Sequence, residues 1–227
     1  MRLSFMNRRV LLLAASLLAL PLAALAQNAV PPNEGDHFKD TSPLKLPAGQ
    51  KAEIYEFEDL ECPACARAFP IVHTAVEHYK IPLVRHDFPL QQHLWSRDAA
   101  VTARYLQDKV SPQLAEQYRR DVFANQNSIA SKDDLNAFTR KWFQSHGQQM
   151  PFVMDPNGLF SAEVQADYTL GERIGLQHTP TIFVVGPRGW TQVVDITQLY
   201  SVIDAALAET PAASAHNNIR RPKTSQQ

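Results

Sequence analysis

Glu56-Phe57-Glu58-Asp59-Leu60-Glu61-Cys62-Pro63-Ala64-Cys65 is the stretch on which the reading of this 227-residue chain turns. Its first half closes an alternating run from Ala52 to Glu58. There Ile54, Glu56 and Glu58 point one way and Tyr55, Phe57 and Asp59 the other, the period-two pattern of a strand. After Cys65, the residues Ala66, Phe69, Val72, Val76 and Tyr79 recur at steps of three and four, which predicts a helix. Pro63 suits its first position, because the fixed φ is already helical and the missing N–H would have no partner there. Pro70 falls inside the same pattern and is expected to kink the helix. A second β-rich run, Leu83 to Phe88, completes a strand–helix–strand unit, which implies parallel pairing.

The two cysteines therefore stand where a strand hands over to a helix. Residues three apart on a helix are about 5–6 Å apart, so a disulfide can close or open there with little backbone movement. The helix start also offers unpaired N–H groups and a positive dipole end, which stabilise a thiolate. Cys62 is accordingly the candidate nucleophile, with Pro63 and Ala64 forming the loop between the thiols. Two other uses of the pair compete with redox exchange. A structural disulfide closing so short a loop adds little stability. A zinc site needs two more ligands, and the chain has only these two cysteines and eight scattered histidines. No metal is expected.

Beyond Phe88 the pattern changes. Three helical segments are read near 94–107, 112–124 and 132–145, with starts marked by Ser111-Pro112 and by Ser131 with Asp134 three residues on. Trp95, Tyr105, Tyr118, Phe123, Phe138, Trp142 and Phe143 fall at helical spacings and read as the core of this helical insertion. A helix from about Leu159 to Ile174 follows, closed by Gly175. Thr181 to Val185 and Gln192 to Ile196 read as a hairpin around Gly186-Pro187-Arg188-Gly189, and Thr197 as the cap of a last helix ending at Ala208. Glu58, Asp59 and Glu61 read as surface charges near the cysteines. His178 is placed in sequence to tune the pair or simply to lie at the surface; His86 and His93 carry no signal.

Taken with Thr179-Pro180-Thr181 far downstream, the Glu56 to Cys65 stretch resembles the DsbA-like branch of the thioredoxin superfamily. The resemblance covers about residues 50–209 and includes the order of elements, the insertion at about 92–147, and Pro70 five residues after the second cysteine. It implies an α/β, thioredoxin-like fold with a central mixed sheet flanked by helices and an inserted helical subdomain. It also implies a cis bond before Pro180, which would sit beside the cysteines and leave backbone near Thr179 free to pair with a substrate chain. Glu56, six residues before Cys62, would lie buried beneath the site, where a raised pKa lets it accept or relay the proton of Cys65. Substrates would be thiol- or disulfide-containing proteins, recycling would need a membrane redox partner, and no small-molecule cofactor is needed beyond the Cys62–Cys65 disulfide.

One departure matters: Ala64 stands where the most oxidising members of that branch have His, and alanine cannot donate a hydrogen bond to the Cys62 thiolate. The direction of electron flow is left open. A reductase or isomerase remains an alternative, although Gln27 to Lys51 is too short for a separate dimerisation domain. So does a metal-binding or chaperone module on the same fold.

The ends read differently from the middle. Arg2, Arg8 and Arg9 precede the apolar run Val10 to Leu20, which ends in Pro21 and Ala24-Leu25-Ala26, the pattern of a signal peptide cut after Ala26. That run is shorter than the roughly 20 residues a membrane span needs. An exported, periplasmic or other extracytoplasmic protein is expected. Cleavage would remove three arginines and no acid, leaving 19 basic against 23 acidic residues and a net charge of −4, which argues against a nucleic-acid partner. Residues 27–49, rich in Pro, Asn and Asp, read as an extended arm, and residues 210–227 as a disordered tail.

Overall fold

The computed structural model of the chain describes residues 36–209. The expected leader at 1–26, the first part of the arm and the tail at 210–227 lie outside the described residues. Strand β1 (Glu53–Glu58) leads through the cysteine turn into α1 (Pro63–Tyr79) and β2 (Leu83–Asp87). Three helices follow, α2 (Ser96–Lys109), α3 (Pro112–Asn125) and α4 (Lys132–Ser145), with no strand between them. The chain ends in α5 (Leu159–Ile174), β3 (Thr181–Gly186), β4 (Gly189–Gln192) and α6 (Leu199–Ala208). The sheet order is β2-β1-β3-β4, with β1 parallel to β2 and the other neighbours antiparallel. This is the mixed sheet flanked by helices that the resemblance implied.

Each face of the sheet follows from the alternation in β1. Ile54, with Ile182 and Val184 of β3, meets Val72 and Ala75 of α1 and Leu199 and Ile203 of α6. Phe57, with Phe183 and Val185, packs on the opposite face against Phe88, Ile174 and Leu176. Residues 36–51 contain no regular element yet cover part of this second face, where Leu44 is buried and Phe38 stands edge-on to Phe183 at 4.9 Å. Gly171 lets α5 approach closely, since a Cβ there would lie 2.5 Å from the Phe88 ring. α1 runs through Pro70 without losing its helical assignment.

The insertion is capped as its sequence indicated. Ser111 accepts from the Leu114 N–H, and Ser131 accepts from the Asp134 N–H while Asp134 Oδ2 takes the Ser131 hydroxyl, a reciprocal cap. Trp95, Tyr118, Phe123, Trp142 and Phe143 are buried in one cluster with Leu60, Phe69, Cys62 and Cys65, and Tyr105 and Phe138 pack against it. The insertion core and the cysteine turn thus share one apolar interior.

The end of the chain departs from expectation. Gly186 pairs directly with Gly189, so the hairpin loop is only Pro187-Arg188 and the return strand is Gly189–Gln192 rather than Gln192 to Ile196. Thr197 is not the cap either: Asp195 accepts from the Thr197 N–H, a single 3₁₀ turn follows, and α6 begins at Leu199.

Parallel pairing of β1 and β2 sets Glu56 opposite Arg85 and Glu58 opposite Asp87. The second pair is two like charges face to face, which opposes the pairing unless a cation intervenes. Arg119 of α3, 2% exposed, supplies it, with Nη1 2.8 Å from Glu58 Oε1 and 2.7 Å from Asp87 Oδ1. Arg85 Nε lies 3.1 Å from Glu58, and Arg104 Nε 2.6 Å from Asp87. Burial alone would push the Asp87 carboxyl up, but Arg119 and Arg104 outweigh it and hold it at about 2.

Replacing Arg119 by Leu removes the buried cation between two facing carboxylates and is expected to lower unfolding free energy by about 3–5 kcal/mol, read from urea melts at pH 7. Because the folded pKa of Asp87 is depressed, its stabilisation is complete above the unfolded value of about 4 and is lost as pH falls towards 2. Wild-type urea midpoints that stay level between pH 4 and pH 2 would contradict this account.

Candidate active site at the Cys62 to Cys65 turn

Cys62 is the N-cap of α1, with extended φ and ψ of −81° and 119°, and Pro63 takes the first helical turn as expected. Both cysteines are free thiols with little exposure, Cys62 at 8% and Cys65 at 1%. Their environments nevertheless differ sharply. A hydrogen bond from the Cys65 thiol is the largest influence on Cys62, and with Thr179 and the Ala64 and Cys65 backbone it outweighs partial burial to bring the Cys62 pKa down to about 5. Burial, then the Cys62 sulfur itself, pushes the Cys65 thiol well above its usual 9. Cys65 Sγ accepts one N–H, that of Asp59, at 3.4 Å.

The loop before β3 closes the site from the other side. The Thr179-Pro180 peptide bond is cis. The Cys62 thiol donates to the Thr179 carbonyl at 3.3 Å, 117 residues away in sequence. Thr179 Oγ1 is buried without a partner, so its hydroxyl is free to donate to sulfur once Cys62 ionises. His178 does not join the pair. It is about half exposed, and its Nε2 lies 2.8 Å from Asp36.

Glu56 is fully buried on the face of β1 that carries Ile54 and Glu58, and neither carboxylate oxygen has a hydrogen-bond partner. Burial, reinforced by the Glu58 charge and only partly offset by Arg85, raises its pKa to about 8. No hydrogen bond joins it to Cys65, and the acidic neighbour that acts on the Cys65 thiol is Glu58.

The largest correction concerns Glu58, Asp59 and Glu61, which read in the sequence as surface charges. Glu58 and Asp59 are each 1% exposed. Asp59 Oδ1 accepts the Glu61 N–H at 2.7 Å, while Oδ2 takes the Leu90 N–H and contacts His93 Nδ1, both at 2.7 Å. Glu61 Oε2 receives the N–H groups of Trp95 and Ser96 at 2.7 and 3.0 Å, satisfying the open start of α2. Gln126, at the end of α3, donates to the carbonyls of Leu60 and Cys62 at 2.8 and 3.1 Å. His93 and Gln126 were missed because each acts on a segment far away in sequence, where no spacing rule reaches. Among the described residues, no group of three or more His, Cys, Asp or Glu side chains is placed to hold a metal ion.

A low-pKa thiol at a helix start, a buried partner three residues on and a cis-proline loop against them define a dithiol protein of thioredoxin-like fold. The thioredoxin family model matches residues 49–205, and the chain belongs to that family. A periplasmic thioredoxin-like protein of Salmonella enterica serovar Typhimurium aligns at TM-score 0.56 and 17% identity, over 72% of this chain and 89% of its own. DsbA2 of Pseudomonas aeruginosa aligns at TM-score 0.52 and 20% identity, over 71% and 91%. BdbD of Bacillus subtilis, in its oxidised form, gives 0.58 and 16%, over 72% and 91%. At such identities the likeness is one of fold. A search of curated proteins found no match.

The Glu56 environment makes a signed prediction. Its folded pKa of about 8 lies above the unfolded value near 4.5, so the folded state retains a proton the unfolded chain releases, and stability falls as pH rises between those values. Glu56→Gln is expected to stabilise the protein on the order of 2–4 kcal/mol at pH 8 and to change little at pH 4.5. Equal urea midpoint shifts at both pH values would count against a buried, protonated Glu56.

Proposed function

We propose that the chain is an exported thiol–disulfide oxidoreductase of the DsbA type that forms disulfides in protein substrates. The observation that carries this reading is the split between the two thiols, with Cys62 lowered to about 5 and Cys65 raised well above 9. A stabilised thiolate favours the reduced pair, and a pair that prefers to be reduced is an oxidant.

In the oxidised protein, a substrate thiolate attacks Cys62 Sγ. The Cys62–Cys65 bond breaks as the mixed disulfide forms, and Cys65 leaves with the electron pair and takes up a proton. A second substrate thiolate then attacks the substrate sulfur and expels the Cys62 thiolate. Two electrons have passed from the substrate to the pair, and the substrate holds a new disulfide. Glu56, protonated below about 8, is suited to supply the proton to Cys65 through the buried charged layer and to take it back in reverse. The backbone at Thr179 and Pro180 flanks the sulfur under attack and is the proposed contact for the substrate chain.

The redox group is the cysteine pair itself, and each turnover leaves it reduced, so an electron acceptor must follow; we assign that role to a membrane partner. The basic start and apolar run of residues 1–20 support export, and the Salmonella neighbour is itself described as periplasmic.

The deciding experiment equilibrates the protein with glutathione buffers. A Cys62 pKa of about 5 falls between the values of roughly 7 and 3.5 known for reducing and strongly oxidising pairs, so the potential should lie between about −270 and −120 mV. A value at or below the lower bound would make the chain a reductase. Cys62→Ser should abolish exchange, and Cys65→Ser, whose Cys62 thiolate attacks a disulfide-bonded substrate and expels one of its sulfurs as thiolate, should be trapped as a mixed disulfide. Thr179→Val should move the thiolate absorbance of Cys62 to higher pH, because the buried hydroxyl no longer donates; an unchanged titration would remove Thr179 from the site.

A further inference from the structure

Ala64 offers the Cys62 thiolate no side-chain donor, yet the thiol is still strongly acidic. A further contact to the turn comes from outside the thioredoxin-like half. Gln126 crosses from the insertion and gives one amide proton to the Leu60 carbonyl at 2.8 Å and the other to the Cys62 carbonyl at 3.1 Å. These are the carbonyls on either side of the peptide units entering the thiol-bearing residue. The same Cys62 carbonyl accepts the Ala66 N–H at 3.2 Å, and the Cys62 N–H donates to Asp59 at 3.0 Å. The turn is therefore closed from within, and Gln126 is its tie to α3.

The donor is itself fixed. Gln126 opens the 3₁₀ turn Gln126–Ser128, and the Ile129 carbonyl just beyond receives the indole N–H of buried Trp95 at 3.0 Å. Trp95 is in turn held through its backbone N–H by Glu61, the residue before Cys62. The amide thus belongs to a closed circuit between the insertion and the turn.

We propose that Gln126 is a positioning residue for Cys62, holding the Leu60 and Cys62 carbonyls so that their negative ends do not oppose a thiolate, and thereby making the disulfide more oxidising. The inference rests on the redox role proposed above. Only the reduced protein carries charge at Cys62, so an electrostatic aid at this point stabilises one side of the redox equilibrium. A purely structural tie would stabilise both sides alike.

The test measures the glutathione equilibrium of full-length protein carrying Gln126→Met, which keeps the length but removes both donors, and Gln126→Glu, which replaces them with acceptors. The expected result is an equilibrium constant shifted about 10-fold toward retaining the disulfide for Met, equivalent to about 30 mV more reducing, and further for Glu. Leu135→Ala, a core truncation in α4 that breaks no bond to the turn, is the control: it should lower the melting temperature and leave the potential in place. Should Gln126→Glu fail to fold, Gln126→Asn, which keeps the donors but shortens their reach, takes its place. Equilibrium constants for the Gln126 variants within twofold of wild type, or an equal shift in Leu135→Ala, would overturn the inference while leaving the proposed function standing. A wild-type pair that never cycles with glutathione would overturn both.

Discussion

A sulfur anion at the start of α1 is stabilised by directional donors: the Cys65 thiol, the Thr179 hydroxyl and the N–H groups of Ala64 and Cys65. Such contacts weaken steeply with distance and angle, so they are worth little unless the turn that carries Cys62 stays in place. The chain meets this requirement with three side chains that join the turn to the helical insertion. Asp59 binds Leu90 and His93, Glu61 caps α2, and Gln126 reaches back from α3. The insertion is therefore part of the active-site support. Its apolar core contains both cysteines, so the helices and the thiols share one packed interior.

The charged layer under the sheet is the second consequence of the same strand. Glu58 and Asp87 are forced opposite each other by the β1–β2 register, and Arg85, Arg104 and Arg119 compensate them. Glu56 shares the face but has no such partner. Once the neighbouring carboxylates have taken the guanidinium groups, ionising Glu56 adds an uncompensated charge in the interior, and the group stays protonated near neutrality instead. Glu58 has Arg85 and Arg119 as ion-pair partners, whereas Glu56, two residues before it, has no hydrogen-bond partner and a raised pKa. The cause is which of them an arginine reaches.

Local pattern carried much of this into the sequence. The β1 alternation, the α1 periodicity, the Ser111 and Ser131 caps and the Gly175 stop each depend on residues within one turn or one strand, and each stands where it was read. The hairpin departs from the sequence pattern because the outer glycines of Gly186-Pro187-Arg188-Gly189 pair with each other and leave a two-residue loop. Glu58, Asp59 and Glu61 were misjudged for a different reason. An acidic side chain reads as solvated until a partner is known, and their long-range partners lie 27 to 61 residues ahead, on elements whose orientation no periodicity encodes. Burial of charge is a tertiary property.

The split between the thiols also bears on the fate of the mixed disulfide. Once a substrate is joined to Cys62, it leaves either by return attack from Cys65 or by attack from its own second thiol. The rate of each depends on the fraction of attacking thiol present as thiolate. Burial, the first cause of its raised pKa, remains when Cys62 is bonded to the substrate and disfavours the Cys65 thiolate. A substrate cysteine in water, with a pKa of about 8.5, has no such penalty. Burial therefore works against the proximity of Cys65 to the bond. Burial of Cys65 disfavours its return attack, and the Glu58 charge acts in the same direction. The contrast between the two thiols comes from one turn that exposes its first sulfur to donors and hides its second.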